Sequence, residues 1–173
     1  MVFQHLRYVY FFGYGADREV DMIRAITGRK PKVVGAAILK GYELYVQPLE
    51  CITNSKKNDL RPRELLRRTW GNEFTSYVIV PNSNESVCGT LFRISLHDRH
   101  LIDNWELVSL GWYDKLFTEV ELDNGKKYRC ETQVLAPGQQ PGRRVDGIDY
   151  RPWLVPKERL MEIASNVRVG IHA

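Results

Sequence analysis

Asp123-Asn124-Gly125, set between residues 112–122 and 126–135, limits the possible folds more than any other feature of this chain. Asn-Gly supplies the positive φ values of a tight reversal, and both flanks are rich in β-branched and aromatic residues, so an antiparallel hairpin is predicted. That excludes an all-helical bundle. Further strands are predicted over 8–13, over 33–39 and 42–47 around Lys40-Gly41, and over 74–80 and 87–95 on either side of the turn-rich 81–86. A short helix is expected over 18–27, with Asp17 as a possible cap and Gly28 as its stop. Another runs from Pro62 to Trp70, where Pro62 suits a first turn that needs no N–H. Ser95-Leu96-His97-Asp98 opens a third helix reaching about 108, and a fourth starts near Pro156 with Leu160, Ile163, Ala164 and Val167 as its buried stripe. The loop 136–153 is long enough to form a wall or lid over a site. Without repeat or linker, the chain reads as one α+β domain spanning 1–173.

Hydrophobic residues make up 43% and charged residues 27% of the 173, a globular balance. No apolar run approaches the roughly 18 residues of a membrane span, and the N-terminal apolar stretch is short for a secretory signal, so a cytoplasmic protein is expected. Cys51, Cys88 and Cys130 are odd in number and widely spaced, which suits neither a disulfide framework nor a zinc site. His97 and His100 can share a helix face, but no third ligand has a matching spacing, and no metal is expected. Arginines concentrate at Arg61, Arg63, Arg67 and Arg68 and at Arg143–Arg144, yet the net charge is only +4. Glu64 is spaced to pair with Arg68, so a solvated helix face is the preferred reading over a nucleic-acid surface.

Nucleotide-binding, serine-hydrolase and zinc-protease signatures are absent, so the chemistry rests on two separate segments. Gly13-Tyr14-Gly15-Ala16-Asp17 runs from a strand toward a helix. It reads either as an anion-binding turn of exposed amides or as a tight turn capped by Asp17. Asp103-Asn104-Trp105-Glu106 ends the third helix, and Glu106 borders its apolar face four residues after Ile102. A carboxylate held there is desolvated toward the pKa of a general base; the plainer reading is an ordinary helix-end glutamate.

Taken in order, these segments resemble the γ-glutamylcyclotransferase-like family, including the branch named after plant avirulence-induced proteins. The likeness lies in the strand and Tyr-Gly turn of 8–17, in Gly35 to Leu44, in Cys88 to Ile94, in Asp103 to Glu106 with Tyr113 seven residues on, and more weakly in 156–170. Residues 50–71 stand outside it and are expected to be an insertion. The resemblance implies a mixed β-barrel-like core with flanking helices, and cyclisation of a γ-glutamyl amine, amino acid or peptide to 5-oxoproline. It also implies Glu106 as general acid/base, with Tyr14, Gly15, Ala16, Asp17 and Tyr113 around the substrate. Tyr113 is expected either to hydrogen-bond Glu106 or to wall the pocket. The nucleophile is the substrate's own amine, so no cofactor is called for. Where many relatives carry Ser-Asn or Thr-Leu, this chain has Ala16-Asp17, which loses a hydroxyl and adds an acid; Arg18 is a candidate to compensate. A non-catalytic binding module on the same fold is the alternative.

Overall fold

The computed structural model describes residues 7–54 and 61–172. Along β1 (Tyr8–Gly13) side chains alternate between faces. Phe11 joins a core shared with the helices, whereas Phe12 joins a second core made mostly by strands. A 3-10 turn (Gly15–Arg18) leads into α1 (Val20–Thr27), which stops at Gly28 in the left-handed region. Then come β2 (Lys32–Pro48), α2 (Pro62–Trp70), β3 (Thr75–Ser95), α3 (Leu96–Trp105), β4 (Tyr113–Leu122), β5 (Lys127–Leu135), β6 (Arg143–Val145) and α4 (Lys157–His172). Among the described residues no helix is long and apolar enough to cross a membrane.

The strands close on themselves. β1 pairs with β3, β3 with β2, β2 with β4 and β4 with β5, all antiparallel; β5 returns to β1 in parallel through the registered pair Phe11–Glu131. Among the described residues the result is a five-stranded mixed barrel with four helices, the architecture expected from the resemblance. Short β6 lies along the outer half of β2, at Leu44–Val46. The predicted hairpin is the β4–β5 ladder.

Two expected breaks are bridged. Residues 33–39 and 42–47 form one 17-residue strand, and 74–80 and 87–95 one 21-residue strand. The ladder passes from Lys40–Ser86 to Tyr42–Pro81, so Gly41 (φ 88°) faces a four-residue excursion over 82–85. The turn chemistry is real, but it produces a bulge because the pairing on both sides is long enough to hold the strands together. The loop 136–153 is likewise interrupted by β6.

The third helix ends earlier than its spacing suggests. Ser95 caps α3 by accepting from the Asp98 amide at 3.0 Å. After Trp105 the chain turns, and Leu107 takes φ 50°, the one non-glycine positive φ among the described residues. Such a turn costs on the order of 1 kcal/mol for a branched side chain. It leaves Glu106 as the residue that caps the helix, not one within it.

Candidate active site

Glu106, 7% exposed, donates its amide to the Ile102 carbonyl at 2.9 Å and lines a cavity of about 270 Å³. The opposing wall is the turn after β1. Gly13 has no room for a side chain, because a Cβ would stand 2.1 Å from the Asp17 carbonyl oxygen. Gly15 adopts φ 63° against the ring of Tyr77. The turn thus folds back tightly and brings Tyr14, Gly15, Ala16 and Asp17 to the cavity together.

Asp17 does not cap a helix. Tyr14 and Glu19 occupy the capping positions of the 3-10 turn and α1, and neither makes a side-chain cap. The Asp17 carboxyl is buried instead beside Glu106. Gln133 on β5 spans the two, its Nε2 donating to Asp17 Oδ2 at 3.1 Å and to Glu106 Oε1 at 3.2 Å. With both amide protons spent on carboxylates, the orientation of the Gln133 amide is fixed, and its Oε1 is buried without a protein partner. Burial, and then the neighbouring Asp17 charge and hydrogen bond, push Glu106 well above the usual carboxylate range. Burial also raises Asp17, against the pull of hydrogen bonds from Glu106 and Gln133 and of the Arg99 charge. Two buried acids in contact do not both ionise, so they hold one proton between them.

Tyr113 walls the cavity. Its hydroxyl donates to the Tyr77 carbonyl at 2.5 Å and meets Ser76 Oγ at 3.2 Å, and it makes no hydrogen bond to Glu106. The Tyr14 hydroxyl donates to the Gln133 carbonyl at 2.9 Å. Gly15's amide donates to Tyr150 Oη at 3.1 Å, so one amide expected to face a substrate is engaged by the chain itself. Arg18 does not compensate for Asp17: it stacks 4.5 Å over the Tyr150 ring and donates to the Tyr150 carbonyl at 3.2 Å.

Beneath the acids lies a charge network that the sequence did not announce. Arg99 is 2% exposed and meets Asp103 at 2.8 Å and Glu131 at 3.9 Å, while Lys115 meets the same two carboxylates at 2.9 and 3.6 Å. Gln133 was missed as well. Its only signal was a polar residue among the apolar ones that end β5. The segment 62–70 supplies a wall of the cavity through Leu65, Leu66, Thr69 and Trp70.

The other candidates lie apart from this site. Arg68 and Arg61 pair with Glu64 at 2.7 and 3.6 Å, and Arg144 with Glu43 and Glu85. Among the described residues no three His, Cys, Asp or Glu side chains converge as a metal site. Burial pushes the Cys130 thiol up to about 12, far from a nucleophile.

Residues 86–163 match the AIG2-like family, a stretch that includes Glu106, Tyr113 and Gln133 but neither the Tyr14–Asp17 turn nor α2. No curated protein matches the chain. Among solved structures, one named gamma-glutamyl cyclotransferase is 16% identical with a TM-score of 0.59, over 75% of this chain and 68% of that one. An uncharacterized Homo sapiens protein is 15% identical with a TM-score of 0.60, over 93% and 80%. An Arabidopsis thaliana protein solved in solution is 14% identical with a TM-score of 0.53, over 96% and 91%. At these identities the likeness is one of fold. The family match over residues 86–163 and the shared barrel support the resemblance to the γ-glutamylcyclotransferase-like fold and to the AIG2-like proteins.

Proposed function

We propose that the protein cyclises a γ-glutamyl amide to 5-oxoproline and a free amine, with Glu106 as general acid and base. The observation that carries this reading is the buried Asp17–Glu106 pair, bridged by Gln133 at the cavity wall. The substrate's α-ammonium would lie against three acceptors, the two carboxyls and the unpartnered Gln133 Oε1, and its charge favours ionisation of the pair, whose shared proton leaves to water as the substrate binds. Glu106 then takes a proton from that ammonium, and the freed amine attacks the γ-carbonyl carbon. A C–N bond forms and the carbonyl oxygen becomes an oxyanion, for which the Ala16 amide is the donor we assign. As the tetrahedral centre collapses, the bond to the leaving nitrogen breaks, Glu106 returns its proton to that nitrogen, and the second proton of the ring nitrogen passes through the freed Glu106 carboxylate to the amine, which leaves as an ammonium. Both reacting groups belong to one molecule, so positioning supplies much of the acceleration and no cofactor enters. We read residues 50–71 as an insertion into a single domain, of which Leu65, Leu66, Thr69 and Trp70 serve as a pocket wall, and the substrate as a small cytoplasmic molecule.

The test is 5-oxoproline release from a panel of γ-glutamyl amides, amino acids and dipeptides by the purified protein. A second reading, a binding module without turnover, draws on Asp17 filling the turn and on Tyr150 occupying the Gly15 amide; a panel without product selects it. Asp17 also makes a directional prediction. Its charge helps hold Glu106 protonated, so Asp17→Asn is expected to move the acidic limb of the kcat/KM profile to lower pH. An unmoved limb in an active variant would show that the two acids do not work as a pair.

A further inference from the structure

Outside the acid pair and Gln133 the cavity is lined mostly by apolar surface, with Thr69, Thr75, Ser76 and Asn104 as its neutral polar residues. Tyr113, Trp112, Phe74, Trp70 and Trp105 form an arc of rings, with successive centroids 4.5, 5.7, 5.5 and 6.5 Å apart. Leu65 and Leu66 of α2 extend the same surface, and Leu65 sits at the rim with 43% of its area exposed. Several polar handles of the aromatic wall are already spent on the protein. Trp112 Nε1 donates to Gln47 Oε1 at 2.8 Å, and the Tyr77 hydroxyl donates to the Arg151 carbonyl at 2.6 Å. No Lys, Arg or His stands among the described residues that line the cavity.

This makeup discriminates between leaving groups. A γ-glutamyl amino acid or peptide carries a second carboxylate on its leaving half. Placed among these rings that carboxylate loses its water and gains no cation, and the carboxyl pair adds like charge. An amine with a bare aromatic or branched-alkyl body meets no such penalty and covers apolar surface from water. We infer that the pocket selects γ-glutamyl derivatives of hydrophobic amines and rejects γ-glutamyl amino acids, with α2 supplying the outer part of the selecting wall. The inference rests on the cyclotransferase reading for the glutamyl half of the substrate.

A matched pair of substrates tests it: γ-glutamylphenethylamide and γ-glutamylphenylalanine share the glutamyl head and the ring, and differ by one carboxylate. The expected result is a kcat/KM for the amide at least about 100-fold higher. Leu65→Arg, at the rim and away from the acids, is expected to narrow that ratio by raising turnover of γ-glutamylphenylalanine. Equal or better use of γ-glutamylphenylalanine by the unaltered protein overturns the inference. If neither compound yields 5-oxoproline, the cyclotransferase reading fails, and calorimetric titration of the same two compounds decides the selectivity. Binding of the amide alone upholds the hydrophobic pocket; equal binding, or none, overturns it.

Discussion

Glu106→Gln is expected to lower kcat for 5-oxoproline release by about 10³-fold, in the range that a positioned acid/base contributes. The substitution isolates the proton, because an amide keeps the shape and can still accept from Gln133 Nε2 and donate to Asp17. Product formation at the unaltered rate would remove Glu106 from the mechanism. The same variant carries a stability signature of opposite sign. Burial holds the Glu106 carboxyl above its unfolded value. Its favourable contribution is therefore fully present below the unfolded pKa and is lost as pH rises through the folded one. Glutamine does not titrate, so the variant should melt above the parent at pH 7 by roughly 2–4 °C, equivalent to about 1 kcal/mol at this chain length. The gap should close toward pH 4. Thermal melts across that range check it, and a variant that melts lower throughout would show that the carboxyl stabilises the fold.

Arg99→Met should cost about 3 kcal/mol, the low end for breaking a buried charge cluster, because Lys115 remains to share Asp103 and Glu131. For a chain of this length that corresponds to a fall in Tm of roughly 6–12 °C. Adding Asp103→Asn should recover part of the loss, since the uncompensated carboxylate then disappears. Arg99 also reaches the site through its field, pulling Glu106 and Asp17 downward. Where Arg99→Met folds, its acidic limb should therefore move to higher pH, opposite to Asp17→Asn. A melt unchanged within a degree would show that the network is solvated after all.

What could be read from the sequence was mostly local. Pro62, the Ser95 cap, the Gly28 stop and the Asn124-Gly125 reversal each act within a few residues, and each stands where its chemistry put it. Glu106 was legible as a carboxylate at an apolar helix end, although the helix stops one residue before it. Asp17 was misplaced for a physical reason. Short acids ahead of a helix usually bond nearby amides, and here that habit gave way to Gln133, 116 residues away. Arg99 was invisible for the same reason: its spacing to Asp103 suggests a surface pair, and only the barrel wall carrying Glu131 and Lys115 buries it. The lengths of β2 and β3 were underestimated because turn residues are local signals, whereas a long ladder is a property of two distant segments.

The parallel contact between β1 and β5, registered at Phe11–Glu131 alone, makes the barrel resemble a cuff fastened at one seam. Side chains supply much of the fastening: Thr132 Oγ1 holds the Phe12 carbonyl at 2.7 Å, Tyr14 holds Gln133, and Gln133 holds Asp17. Two of these clasps belong to residues that line the cavity. Occupancy of the pocket should then register as altered amide hydrogen exchange in β1 and β5, while the long β2–β3 ribbon exchanges as before. Loading the cavity and tightening the barrel are then expected to be one event, with the seam as its gauge.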